Sequence, residues 1–176
     1  MRSTLLLLAA VTLASSESFS PLLTPGRAAD APATTAANAT REVSADEWLR
    51  PLIAPCFAGD GSGSIAAHER IEKKYISPEL QRLMAADAAD SKRTGEVTRM
   101  DFDWIVNSQE VPEKWSLGKP VVEGKHTLVP VSTGYGKEKP RIHHIVLERT
   151  ASSWMIVDAR YGEGQTLLKI LNAPLP

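Results

Sequence analysis

The stretch RIHHIVLERTASSWMIVDARYGEG, residues 141–164, brings two adjacent histidines, an aspartate and an arginine into what reads as one β-hairpin. Side chains alternate faces along a strand, so the two histidines cannot act together on one side. An even-numbered turn at TASS pairs Arg149 with Trp154, which sets Leu147 opposite Ile156, Ile145 opposite Asp158 and His143 opposite Arg160. On that register His143, Asp158 and Arg160 share a face with Trp154, Ile156 and Leu147, the last three forming an apolar floor. An odd-length turn would put His144 opposite Arg160 instead. A few convergent polar groups on an apolar wall suit a small-molecule pocket. The same groups suit a cross-strand ion-pair ladder, which is the simpler reading. Nucleophilic catalysis would need a Ser, Cys or Thr within reach of the imidazole, and nothing in the sequence places one there.

Asp101 and Asp103 in DFDW are two residues apart, so an extended backbone puts both carboxylates on one side, with Phe102 on the other. Paired carboxylates can do acid–base chemistry, although aspartates linking a helix to a strand more often cap or solvate. HERIE, residues 68–72, approaches the zinc helix H-E-x-x-H but carries Glu72 at the fifth position. With no third ligand in view and Glu69 set to pair with Lys73, His68 is expected on a solvated face and no metal is expected. GDGSGS lacks the strand and the lysine of a phosphate loop. Read as a calcium loop from Asp60, it has Ile65 and Ile71 where Gly and Glu are required, so it is taken as a joint between helices. Cys56, the single cysteine, has no base beside it in sequence and reads as a buried structural thiol. No cofactor is implied.

These residues need elements to hold them. The chain has 176 residues with 20 basic and 21 acidic side chains, and it shows no run of like charge. That balance argues against nucleic acid and against an anionic membrane surface. MRSTLLLLAAVTLASSES has Arg2 ahead of an apolar run from Leu5 to Ala14, then small residues before Glu17, the pattern of a secretory signal. The apolar run is too short to span a bilayer. Residues 1–16 therefore read as a signal peptide, and 17–42 as a disordered Ala/Thr/Pro-rich tether with Asn38 in a glycosylation triplet. Residues 43–176 read as one globular domain of an exported, periplasmic or secreted protein without a transmembrane anchor.

Within that domain Ser44 and Glu47 make a capping box, with Val43 and Trp48 as its staple, for a helix ending near Pro55. A second helix capped by Ser64 carries Ala67, Ile71 and Tyr75 at spacing four. Ser77 and Pro78 start a third, with Leu80, Leu83 and Met84 on one face, ending around Asp90. After a link anchored by Phe102 and Trp104 come four strand-like runs, WSLGKPVV, KHTLVPVSTGY, RIHHIVLER and SWMIVDARY, then a closing helix in GQTLLKIL. Pro130 in the second run favours an edge or a bulge. The expected fold is α+β, with N-terminal helices packed on a curved antiparallel sheet and a C-terminal helix closing it.

The ordered set YISPELQRLM, DFDWIVNSQ and SSWMIVDARYGEGQTLLKIL resembles a bacterial exported family catalogued as domain of unknown function 3828. Tyr75, Ser77, Pro78, Leu80, Asp101, Asp103, Trp154, Ile156, Asp158 and Leu167 fall on its pattern, across residues 45–172. Ala159 and Arg160 stand where a more apolar pair is expected. The resemblance implies a cone similar to that of nuclear transport factor 2 and ketosteroid isomerase, which hosts enzymes and non-enzymes alike. It supplies no catalytic residues. The expected function is a non-catalytic binding or interaction domain, its ligand between the helices and the concave sheet face. The candidate lining is Tyr75, Asp101, Asp103, His143, Trp154, Asp158 and Arg160. The ligand would be a small molecule or an envelope protein. Two rivals stand beside it: an isomerase or hydrolase using one of these carboxylates as general base, and an envelope immunity or inhibitor protein.

Overall fold

The computed structural model of the protein describes residues 42–58 and 62–174. The expected signal peptide over residues 1–16, the expected tether up to residue 41 with Asn38, and residues 59–61 of the expected joint lie outside the described residues. Helix α1 (Ala45–Ile53) continues as a 3-10 turn through Ala54–Phe57, followed by α2 (Ser62–Lys74) and α3 (Pro78–Thr94). Strands β1 (Lys114–Leu117), β2 (Val121–Glu123), β3 (His126–Gly134), β4 (Arg141–Arg149) and β5 (Trp154–Arg160) precede α4 (Leu167–Asn172). The fold is α+β: helices, one five-stranded antiparallel sheet that is not closed into a barrel, and a C-terminal helix.

Local chemistry sets the helix ends. The Glu47 carboxylate accepts the Ser44 backbone N–H at 3.1 Å, completing the capping box. The Ser77 hydroxyl oxygen accepts the Leu80 N–H at 3.2 Å, with Pro78 in the first turn of α3. Helix α3 runs beyond Asp90 to Thr94, where Gly95 at φ 76° takes the left-handed cap that glycine adopts without strain. Helix α2 starts at Ser62, and Tyr75 lies just past its last turn. Arg99 then fastens the linker. Its N–H and one guanidinium nitrogen donate to Asp87 Oδ1 at 3.0 and 2.8 Å, another nitrogen to Asp90 at 3.2 Å, and Nε to the Ala173 carbonyl at 2.7 Å. Its partners lie 9 to 74 residues away along the chain, so no local pattern marks this clip.

The sheet order is β1–β3–β4–β5, with β2 also pairing β3. WSLGKPVV is thus two strands end to end along one edge of β3, not one. The break falls opposite Pro130, whose carbonyl accepts the Gly118 N–H at 2.8 Å and which has no N–H to offer on that side. A Cβ on Gly118 would lie 3.0 Å from Pro130 Cβ, so the crossing needs a residue without one.

Strands β4 and β5 are joined by the even-numbered turn, with Arg149 opposite Trp154 and Leu147 opposite Ile156. A bulge then shifts the register, so that Val146 faces Asp158, Ile145 faces Ala159 and His144 faces Arg160. The expected pairs Ile145–Asp158 and His143–Arg160 do not form. The cause lies on the far side of β5, where Ile156 exchanges backbone hydrogen bonds with Tyr75 and Ser77 at 2.7 and 2.8 Å. An extra residue after Ile156 bends the strand as it leaves that contact.

The inner face carries Val129, Val131, His143, Ile145, Leu147, Ile156 and Ala159, all 0% exposed. The apolar members share one core with Leu49, Ile53, Ile71, Leu80, Leu167 and Leu171 from the helices. The space expected to hold a ligand between helices and sheet is therefore filled with side chains. Each fully buried Leu or Ile contributes roughly 1.5–3 kcal/mol relative to exposure.

Candidate functional site

The seven candidate residues do not converge; they divide among a loop on the inner side, the outer sheet face and the neighbourhood of α1.

Loop 101–108 is organised by Asp103. Its Oδ1 accepts the N–H groups of Ile105 and Val106 at 2.9 and 3.0 Å, and its Oδ2 lies 2.8 Å from His68 Nε2. Its carbonyl accepts the Asn107 N–H at 2.7 Å, which places Asn107 at φ 57°. This turn folds Trp104, Ile105 and Val106 inwards, leaving them 3%, 0% and 2% exposed. From the sheet side His143 Nε2 reaches the Ile105 carbonyl at 2.7 Å, and the Tyr161 hydroxyl donates to the Trp104 carbonyl at 3.1 Å. Asp101 is exposed, so the two carboxylates of DFDW do not act as a pair.

The electrostatics follow from these contacts. Burial lowers the His143 pKa from 6.5 to about 4 against the opposing hydrogen bond to Ile105, so the ring is neutral near pH 7. Burial also disfavours charge on His68, but its hydrogen bonds to Asp103 and Cys56 outweigh this and raise its pKa to about 10. His68 is thus a partly buried cation in an ion pair, not a residue of a solvated face. Cys56 is buried, as expected, with His68 as the neighbour its sequence surroundings did not reveal. Burial raises the Tyr161 hydroxyl pKa far above its ordinary value.

The outer face carries Asp158 and Arg160, opposite the side on which His143 lies. Asp158 Oδ1 accepts the N–H groups of Ala159 and Leu168 at 2.9 and 3.0 Å, which ties the start of α4 to β5. Burial raises its pKa while those N–H groups pull the other way. Arg160 pairs with Glu123 at 2.7 Å. Glu123 is on β2, so the bridge crosses β4 and β3 above Val146 and Leu128, which are 1% and 5% exposed although outside the main core. Lys125 pairs with Glu148 at 3.0 Å beside it. A cleft of about 320 Å³ lies along this edge, lined by Ser77, His126, Met155, Val157, Asp158 and Leu168 among others.

Tyr75 packs edge-on against Trp48 with ring centres 5.8 Å apart. Trp154 donates its indole N–H to the Val43 carbonyl at 3.2 Å and lies under the Arg149 guanidinium, 4.6 Å from the ring centre. Both pack at the start of α1, and Trp154 also lines an open groove with Val43, Thr127 and Arg149. Asp103 and Asp158 each give Oδ1 to two backbone N–H groups, and Asp103 gives Oδ2 to His68, an arrangement that suits structural capping better than proton abstraction. Among the described residues no group of three or more His, Cys, Asp and Glu side chains is placed to hold a metal ion, and no helix is long and apolar enough to cross a membrane.

No family model matches the sequence, and no curated protein matches it. Among solved structures, the chain is similar to one in the crystal structure of the type VI native effector–immunity complex Tae3–Tai3 from Ralstonia pickettii. The TM-score is 0.48 at 16% identity, covering 70% of this chain and 99% of that one. Likeness at this level carries no functional statement for this chain.

Proposed function

We propose that the chain is an exported, non-catalytic protein-binding domain that works through the outer face of its sheet, and that it belongs to the exported family its motif order resembles. The observation that supports this is the contrast between the two faces. The inner face is filled by the core, while the outer face carries a second apolar centre of half-buried Pro130 with Leu128 and Val146, which its own polar side chains leave only 5% and 1% exposed. Ile142 and Val121 extend that centre and are 60% and 53% exposed. Arg160, Glu123, Lys125 and Glu148 form a charged rim. An apolar centre inside a polar rim is the anatomy of a protein interface. A partner that brings a carboxylate to Arg160 displaces Glu123 and uncovers Val146 and Leu128 for its own apolar side chains. An envelope immunity or inhibitor protein is one specific form of this function. Export rests on residues 1–16 of the sequence.

The test is photo-crosslinking in the envelope of the producing cell, with a photoreactive residue replacing His144 on the sheet or Glu69 on the exposed side of α2. A discrete protein adduct from position 144 and none from position 69 supports the proposal. Equal adducts from both positions, or none from 144, overturns it.

A further inference from the structure

We propose that loop 101–108 is a pH-gated clamp, held from one side by protonated His68 and from the other by neutral His143, and that loss of either state releases Trp104, Ile105 and Val106. The geometry sets the two demands. His143 Nε2 lies 2.7 Å from the Ile105 carbonyl and so carries a hydrogen, while Nδ1 is buried with no hydrogen-bond partner in the described structure. A second proton would sit on Nδ1, placing a charge without an acceptor in the core. His68 makes the opposite demand. Its Nε2 lies 2.8 Å from the carboxylate that also accepts the Ile105 and Val106 amides. Removing its proton leaves that carboxylate half-buried without a counter-charge.

The groups facing His68 are Asp103 from the loop and Cys56 from the 3-10 turn, with the Trp104 ring edge-on at 6.4 Å. Glu72, one turn along α2, accepts the Trp104 indole N–H at 3.4 Å. Facing His143 are Asp103 and Tyr161, whose ring centre is 6.1 Å away, while the adjacent His144 acts on it only as a charge from the opposite face of the sheet. His143 has its folded pKa depressed from 6.5 to about 4, so its hold is complete above 6.5 and is lost as pH falls through about 4. His68 has its folded pKa raised from 6.5 to about 10, so its hold is complete below 6.5 and is lost as pH rises through about 10. The clamp is tightest near pH 6.5. Asp103 joins the two sides, because one oxygen meets His68 and the other fixes the turn that presents the Ile105 carbonyl to His143.

The experiment uses the full chain labelled with 5-fluorotryptophan and read by fluorine NMR. The Trp104 resonance is identified by elimination from Trp48→Phe, Trp115→Phe and Trp154→Phe spectra. The expected result is a solvent-exposed Trp104 population that rises at least about tenfold from pH 6.5 towards both limits, ahead of the other three tryptophans. His68→Gln flattens the alkaline limb and His143→Gln the acid limb. The proposal is overturned if Trp104 moves only together with the other tryptophans, or if the variants leave both limbs unchanged. Should either variant fail to fold, the ring-nitrogen titration of the unsubstituted protein decides. A His143 ring that protonates near pH 6.5 in the folded chain overturns the proposal, and one that stays neutral to about pH 4 supports it.

Discussion

Replacing Asp103 by Ala removes three interactions at once: the acceptor for the Ile105 and Val106 amides and the partner of His68. Ile105 and Val106 are buried at 0% and 2% exposure, so water does not readily replace the lost acceptor. Loss of a capping acceptor costs about 1 kcal/mol per amide, and loss of a partly buried charged hydrogen bond about 1–2 kcal/mol more. Asp103→Ala is therefore expected to cost about 3 kcal/mol, roughly 10 °C in Tm for a domain of this size. Asp103→Asn keeps a carbonyl oxygen for the two amides but turns its NH2 towards His68 Nε2, so it loses the charge and the hydrogen bond to the protonated ring and should cost about 1–2 kcal/mol at pH 6.5. The penalty for Asn should shrink as pH rises towards 10, because the unsubstituted chain loses the His68 contribution over the same range. The assay is urea unfolding followed by far-UV circular dichroism from pH 6.5 to 10. An Ala variant with an unaltered midpoint would refute the structural role given to Asp103. Equal penalties for Ala and Asn would show that charge, not acceptor geometry, holds the loop.

Four further substitutions probe other parts of the fold. Between pH 6.5 and 4 the stability advantage of the unsubstituted chain over His143→Gln should fall by about 3 kcal/mol, read from urea midpoints at each pH. Gly118→Ala pushes a Cβ against the Pro130 ring and should cost about 1–2 kcal/mol. Adding Pro130→Ala should recover part of that loss in a double-mutant cycle, and full additivity would show that the two residues do not meet. Asp87→Ala leaves Arg99 without its main partner at a site where the aspartate is 2% exposed, and should lower stability by about 2–3 kcal/mol in the same assay.

What was legible in the sequence was local. Ser44 with Glu47, Ser77 with Pro78, the turn at TASS and the apolar face of the closing helix each carry their instruction within four residues, and each forms as read. The true end of α3 was also available locally, in Thr94–Gly95 after Lys92 and Arg93, the basic last turn and glycine stop of a helix. Other features depend on partners far along the chain. The bulge after Ile156 answers to Tyr75 and Ser77, and its consequence is that His143 lies on the opposite side of the sheet from Asp158 and Arg160. The break in WSLGKPVV answers to Pro130. His68 meets Asp103 across 35 residues, so neither HERIE nor DFDW alone could announce the pair. An ionisable residue beside an apolar helical stripe, as His68 stands beside Ala67 and Ile71, was the only local hint.

The most direct measurement compares affinity for the partner captured from position 144 between an outer-face and an inner-face variant. Ile142→Glu changes an exposed outer residue and should weaken binding at least about tenfold while leaving Tm within about 2 °C. Val129→Ala opens space on the filled inner face and should cost about 2 kcal/mol of stability with affinity unchanged. Affinity lost on Val129→Ala and retained on Ile142→Glu would contradict the assignment of function to the outer face.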